Sequence, residues 1–369
     1  MHFTQFFSKN FWTTVTTVCW LVVVPACGKD SDNTPATTPP AQPQARTFVN
    51  PLLASGPDPW VYRQDTTYYY THTLGGRIGL WKTAAMSRLA SALYTTVYTP
   101  TTGAADSRDL WAPELHRINN RWYIYYTAGI GASAPGDPYA SQRTFVLENT
   151  NADPTTGTWV NKGRIFDAAN DFWAIDGTVL EHQGNLYFLW SGRGGTANDK
   201  QNIYIARMAD PWTLTGNRVL LSTPTLSWET VGDPDVNEGP QILKNPAGRV
   251  FLIYSGSGCW TDEYSLGMLT LRDGGDPMNA GDWTKSQTPI FTKNESAGVY
   301  GPGHNAFFTS RDGRENWIIY HANSRPMNGG GCGDSRSPRM QKFTFDAAGV
   351  PQFGTPVSTT TPLPVPSGE

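Results

Sequence analysis

Cysteine is scarce in this 369-residue chain, which has four. Two of them, Cys19 and Cys27, fall in an N-terminal leader, so the folded part has only Cys259 and Cys332 to pair. In an oxidising compartment these two could join loops of neighbouring repeats; two buried thiols are the other reading. Long apolar runs are missing too: residues 15–24 are apolar, but that is too short to span a bilayer as a stable helix. Helical periodicity of any length is absent. The 37 Gly, 28 Pro and 12% aromatic residues suit many short strands and turns. An excess of charge of either sign is lacking, with 28 basic residues against 31 acidic and a net charge near −3. Without a basic stripe, nucleic acid is excluded as a natural partner and a neutral substrate fits better. Neither a His-x-x-x-His pair nor a dense acidic loop supports metal catalysis.

The N-terminus reads as an export signal. A weakly basic start (His2, Lys9) precedes the apolar run, which has the length of a signal-peptide core. The run ends Val24-Pro25-Ala26-Cys27-Gly28, which resembles a bacterial lipoprotein cleavage box with Cys27 as the lipidated first residue; plain secretion is the alternative. Residues 28–46, rich in Pro, Thr, Ala and Gln, cannot bury a core and would serve as a tether. The expected organisation is a signal peptide of lipoprotein type over residues 1–27, a linker over 28–46 and one closed domain over 47–369. The product would be an exported cell-envelope lipoprotein, monomeric, touching a membrane only through its lipid.

What the domain has in abundance is repetition. A β-branched and aromatic segment ends in Tyr70, Tyr126, Trp190, Tyr254 and Tyr320, at spacings of 56, 64, 64 and 66 residues. The following residues are Thr71, Thr127, Ser191, Ser255 and His321. Upstream of each lies a turn with a polar or charged residue: Asp58-Pro59-Trp60, Glu114-Leu115-His116, Asp176-Gly177-Thr178, Glu238-Gly239-Pro240 and Gly303-His304-Asn305. Downstream, most repeats carry a third strand and an Asp-Pro turn leading to Trp, as at Asp153-Pro154 to Trp159, Asp210-Pro211-Trp212 and Asp276-Pro277 to Trp283. About four antiparallel strands per unit, five times over, predict an all-β fold, a five-bladed β-propeller.

A propeller turns one end of every innermost strand toward a common funnel, so residues at matching repeat positions converge. Those positions hold Asp58, Glu114 or nearby Asp109, Asp176, Glu238 and His304. Carboxylates crowded on one axis repel one another and lose solvation, a cost that marks a functional site rather than a scaffold. Carboxyls facing each other across a pocket are what glycoside hydrolysis needs: one donates a proton to the leaving oxygen and another acts as base or nucleophile on the opposite face of the sugar. A third beside the donor would raise its pKa by like-charge repulsion.

These residues also carry a resemblance. In order, the matching segments are Asn50-Pro51-Leu52-Leu53 before Pro57-Asp58-Pro59-Trp60-Val61, Asp109-Leu110-Trp111-Ala112-Pro113-Glu114-Leu115, Ala174-Ile175-Asp176-Gly177-Thr178, Asn237-Glu238-Gly239-Pro240 and Tyr300-Gly301-Pro302-Gly303-His304-Asn305. Together they resemble glycoside hydrolase family 43. Residues 201–212 and 257–262 are most similar to its exo-acting α-1,5-L-arabinofuranosidase branch. The resemblance implies an inverting propeller hydrolase that releases terminal α-L-arabinofuranose from α-1,5-arabinan or arabino-oligosaccharides. In it Asp58 would be general base, Glu238 general acid and Asp176 the group that tunes and orients the acid. Trp111 is a candidate wall for the sugar, with packing between blades as the alternative. Arg339 resembles a fifth-blade arginine that contacts substrate or acid. His304 matches a position that in some members faces the axis and helps hold a metal ion, often calcium, through water, so no cofactor is required and calcium would be structural or electrostatic. Glu114 departs from the aspartate common after Trp-Ala-Pro and is given no catalytic role. A β-xylosidase or endo-arabinanase of the same fold is the alternative activity, since loops such as residues 193–200 and 261–264 set substrate choice. A non-catalytic glycan-binding lipoprotein is the alternative of another class.

Overall fold

The structure is a computed structural model and describes residues 46–131, 139–195, 200–328, 330 and 332–369, all within one compact unit, Ala45–Glu369. Cys27 and the tether ahead of Arg46 lie outside the described residues.

Five four-stranded antiparallel sheets follow one another along the chain, each built from four consecutive strands. The first sheet is Trp60–Gln64, Thr67–Thr71, Ile78–Thr83 and Leu93–Tyr98, and the second begins with Arg108–Ile118 and Arg121–Gly129. The third opens with Ala174–His182 and Asn185–Gly192, the fourth with Asn237–Lys244 and Val250–Gly256, and the fifth with Tyr300–Thr309 and Asn316–Asn323. The first strand of each sheet lies against the first strands of its two neighbours, and the fifth meets the first, so the ring closes. This is the five-bladed β-propeller that the repeat spacing predicts. No blade is shared between the two ends of the unit. Instead Thr47–Phe48 pairs with Leu363–Pro364 as a separate two-stranded clasp.

The second strand of each blade explains why the chain takes this form. Segments such as Thr67–Thr71 (TYYYT) and Val250–Gly256 (VFLIYSG) are β-branched and aromatic, and almost every side chain in them is buried. A strand covered on both faces reads as such a run rather than as an alternation. The covering comes from the blades on either side. Five apolar clusters fill the five gaps, for example Tyr68, Tyr70, Ala306 and Ile319 between the first and fifth blades. Leu180, Leu189, Leu252 and Tyr254 do the same between the third and fourth. Each fully buried Leu, Ile or Phe contributes about 1.5–3 kcal/mol relative to exposure, so the gaps between blades, not the sheets alone, hold the ring. The Asp-Pro turns are closed from within: the Trp159 indole donates to Pro154 O at 3.0 Å and Trp283 to Pro277 O at 3.0 Å.

Candidate active site

Each innermost strand enters the funnel through a residue held in the left-handed backbone region: Asp58 (φ 55°), Ala112 (φ 43°), Asp176 (φ 56°), Gly239 (φ 55°) and His304 (φ 46°). In blades two to five the pairing with the second strand slips beside that residue, between Trp111 and Glu114, Ile175 and Thr178, Glu238 and Gln241, and Gly303 and Ala306. Such a bulge inserts a residue, breaks the ladder and re-aims a side chain. Strain of this kind in non-glycine residues persists only where the surroundings over-determine it. Here, in blades two to five, the residue after the recurring aromatic of one blade binds the next blade's backbone. Thr127 Oγ1 accepts from Asp176 N at 3.1 Å and Ser255 Oγ accepts from His304 N at 2.8 Å. His321 Nδ1 accepts from Asp58 N at 3.0 Å, and Ser191 Oγ donates to Asn237 O, next to Glu238, at 2.9 Å. Thr127, Ser191, Ser255 and His321, seen recurring in the sequence, are therefore clips on the bulged segments, whereas in the first blade Thr73 rather than Thr71 takes this part, accepting from Ala112 N at 2.7 Å.

Asp58, Trp111, Asp176, Glu238 and His304, one from each blade, line a single cleft of about 860 Å³. Around them stand His72, Tyr139, Trp173, Arg193, Trp260 and Arg336, with the disulfide formed by Cys259 and Cys332 at the side. The three carboxyls are nearly buried, at 7%, 4% and 7% exposure for Asp58, Asp176 and Glu238. Their surroundings differ in sign. Asp58 Oδ1 accepts from Arg336 Nη1 at 2.8 Å, its Oδ2 accepts from Thr73 Oγ1 at 2.6 Å, and His304 Nδ1 lies 3.4 Å away. Burial alone would raise the Asp58 pKa, but Arg336, His304 and His321 more than offset it and hold the carboxyl well below its ordinary value. Glu238 Oε1 accepts from the Tyr264 hydroxyl at 2.8 Å. Burial lifts Glu238 from 4.5 to about 7, with the Asp58 charge adding to the lift and the Tyr264 bond and Arg336 opposing it. Asp176 Oδ2 accepts from Gly239 N at 2.9 Å and lies 4.0 Å from His304 Nδ1. Burial and the neighbouring Glu238 and Asp58 push it well above its ordinary value. The cleft thus sets a carboxyl held low, Asp58, against two pushed up, Glu238 and Asp176, the divergence that acid–base chemistry needs.

Two expectations from the repeat register change. The true counterparts of Asp58 in blades two and four are Ala112 and Gly239, not Glu114 and Glu238. Glu238 precedes the bulge by one residue, and one step along a strand moves a side chain to the other face. Glu114 sits two residues past its bulge, where it accepts from His116 Nε2 at 2.9 Å and from the Gln241 side-chain amide. The second correction concerns Arg339. It is fully buried in the strand Ser337–Phe345, donates to Ser324 Oγ at 2.8 Å, and is absent from the cleft lining. Arg336, three residues earlier, is the arginine at the carboxyl. The sequence held a signal for it, since Arg336 opens the same segment, but an odd step reverses a side chain's face and a resemblance does not fix that register.

Other residues were not singled out in the sequence. Tyr264 contacts Glu238 and stacks on His321 at 5.7 Å with the rings 5° apart. Trp111 packs edge-on against Tyr139 at 4.8 Å, and the Arg193 guanidinium lies 4.4 Å from the Trp173 ring centroid. These aromatic walls suit the apolar face of a sugar. Among the described residues no three His, Cys, Asp or Glu side chains converge as a ligand set, whereas calcium takes six to eight oxygens. His304 Nδ1 faces the Asp58 and Asp176 carboxyls.

Comparison with known proteins agrees with this geometry. The profile of the family described as "Glycosyl hydrolases family 43" matches residues 48–351. An "Extracellular exo-alpha-(1->5)-L-arabinofuranosidase" of Streptomyces avermitilis is 40% identical over 332 residues, covering 88% of this chain and 67% of the relative. A protein of the same description from Streptomyces chartreusis is 40% identical over 286 residues, covering 76% of this chain and 84% of its own. Among solved structures, an alpha-L-arabinofuranosidase from Lactobacillus brevis superposes with a TM-score of 0.78 at 33% identity, covering 85% of this chain and 98% of that one. The match runs through every blade that supplies the cleft, and the chain accordingly belongs to glycosyl hydrolase family 43 and is a glycoside hydrolase.

Proposed function

We propose that this hydrolase releases terminal α-L-arabinofuranose from α-1,5-arabinan or arabino-oligosaccharides, with inversion. Asp58 takes a proton from water as the water attacks the anomeric carbon. Glu238 gives its proton to the departing glycosidic oxygen from the opposite side. Asp176, against Gly239 N and beside Glu238, orients the acid and tunes its pKa. The observation that carries the reading is the divergence of two buried carboxyls in one cleft: Asp58 driven down by Arg336 and Glu238 raised to about 7. The sugar is argued from the relatives, whose printed descriptions name arabinofuranose and the 1,5 linkage.

Linear and branched arabinan, arabino-oligosaccharides and the nitrophenyl arabinofuranoside and xylopyranoside, with products and their first anomeric form identified, test the reading together. Arabinose alone, released from chain ends with inverted configuration, is the expected result. Internal cleavage or xylose release would replace it with the endo-arabinanase or β-xylosidase alternative. No turnover of any of them, with binding retained, would leave the glycan-binding alternative. The proposal extends to location: the segment Val24 to Gly28 supports export with a lipid on Cys27, so labelled palmitate incorporated into the wild type and lost in Cys27→Ala is expected.

A further inference from the structure

The Cys259–Cys332 disulfide joins two segments 73 residues apart in the chain and lines the cleft. Each half leads directly to a partner of one of the two reacting carboxyls. From Cys259 the chain passes through two successive turns, Thr261 N donating to Gly258 O at 2.9 Å and Tyr264 N to Thr261 O at 3.4 Å, and reaches Tyr264. The Tyr264 hydroxyl is the hydrogen-bond donor to Glu238. On the other side, Arg336 closes on the Cys332 segment itself: Nη2 donates to Cys332 O at 2.9 Å and Nε to Gly333 O at 3.1 Å. Its remaining arm, Nη1, donates to Asp58. A further cross-link, Met327 N donating to Asp262 Oδ1 at 2.8 Å, ties the same two segments.

We infer that Cys259 and Cys332 are a positioning pair for the reaction: their bond fixes Tyr264 against Glu238 and Arg336 against Asp58 as one unit. The bond thereby sets the acid's placement relative to the base across blades one, four and five. The inference rests on the roles given above to Asp58 and Glu238. Its physical content is that a covalent link removes the relative motion of two loops whose last atoms touch opposite ends of the reacting system, and misplacement of about 1 Å in such a system costs up to about 100-fold in rate. A staple acting on stability alone would affect folding and leave the chemistry of the folded enzyme unchanged.

Both cysteines are half-buried at the cleft wall, within reach of a reductant. The test compares the oxidised enzyme, the same enzyme treated with a phosphine reductant until two additional thiols titrate, and the double variant Cys259→Ser/Cys332→Ser. Each is assayed on 4-nitrophenyl and phenyl glycosides of whichever sugar, arabinofuranose or xylopyranose, the oxidised enzyme turns over. Melting temperatures are recorded alongside. Reduction is expected to lower kcat about tenfold with KM within about twofold, and to lower it more for the phenyl than the nitrophenyl glycoside, because a poor leaving group depends more on a well-placed acid. The double variant should match the reduced enzyme and ignore the reductant. If the variant fails to fold, reduction of the folded enzyme decides. Unchanged kcat, or a loss equal for both leaving groups, overturns the inference. Full activity of Glu238→Ala or Asp58→Ala would instead remove the roles on which it rests, a separate outcome.

Discussion

Glu238→Gln offers a stability measurement that isolates the electrostatics of the acid. The substitution keeps an acceptor for the Tyr264 hydroxyl and changes little in volume, so its main effect is to remove a titratable proton. In the folded protein burial holds the Glu238 carboxyl at about 7 against an ordinary value of 4.5. Between those two values the folded state keeps a proton that the unfolded chain has released. Wild-type stability must therefore fall as pH rises through this window, and above it the full difference is lost. At 1.36 kcal/mol per unit the penalty is on the order of 3 kcal/mol. With an unfolding entropy of roughly 0.7 kcal/mol/K for a domain of this size, that is about 4 °C in Tm. The variant carries no such penalty. Scanning calorimetry of both proteins at equal scan rate should give nearly equal Tm at pH 4 and a variant more stable by about 4 °C at pH 8. Asp58 titrates in the opposite sense at lower pH, its stabilisation being present above its ordinary value and lost as pH falls through its depressed one, but this is common to both proteins. A Tm difference that does not vary with pH would refute the raised pKa and the acid's protonated state with it.

Asp58→Asn should lower kcat by about 1,000-fold with little change in KM, measured on arabino-oligosaccharide, because it removes the proposed base and keeps the shape. Arg336→Met removes the guanidinium that holds Asp58 down, so the acid limb of the pH profile of kcat/KM should move to higher pH, whereas an unmoved limb would show another group in control. At Gly303 an added Cβ would meet the Tyr264 ring at 2.2 Å. Gly303→Ala should therefore push Tyr264 off Glu238 and reduce kcat about tenfold, seen by steady-state kinetics. Away from the cleft, Glu229 is fully buried, with Lys285 Nζ 2.6 Å away and the Tyr254 hydroxyl donating to it at 2.7 Å. Glu229→Gln leaves that cation half-partnered and should destabilise by about 3 kcal/mol in urea melts, without altering KM.

The ring was legible from the sequence because a buried second strand is a local pattern that recurs: Tyr70, Tyr126, Trp190, Tyr254 and Tyr320 all lie in the core. Asp58, Asp176, Glu238 and His304 were likewise found at blade entrances, and closure of the ring gathers them round one cleft; in the second blade the cleft residue is Trp111, a candidate sugar wall in the sequence, rather than Glu114 or Asp109. What stayed hidden is register within a few residues. Whether Glu238 or Gly239 occupies the left-handed position, and whether Arg336 or Arg339 reaches the carboxyl, depends on bulges and strand ends rather than on spacing. Tyr264 and His321 were hidden for another reason: Tyr264 reaches Glu238 from a loop of the same blade and His321 grips Asp58 from the neighbouring blade, and nothing local distinguishes a Tyr that donates to a carboxyl from one that fills a core. The pairing of Cys259 with Cys332 also needed coordinates, since two cysteines in separate loops are equally consistent with free thiols.

The separate clasp of Thr47–Phe48 on Leu363–Pro364 has a bearing on how the enzyme fails. With no blade woven from both chain ends, the circle has a seam between its first and last sheets, and Asp58 sits on that seam. Asp58 arrives from one side, while His321 and Arg336, which grip its amide and its carboxylate, arrive from the other. Catalytic power is thus wired to one joint of the circle, and loosening of that joint alone should silence hydrolysis while the other four still hold their tryptophans and tyrosines out of water.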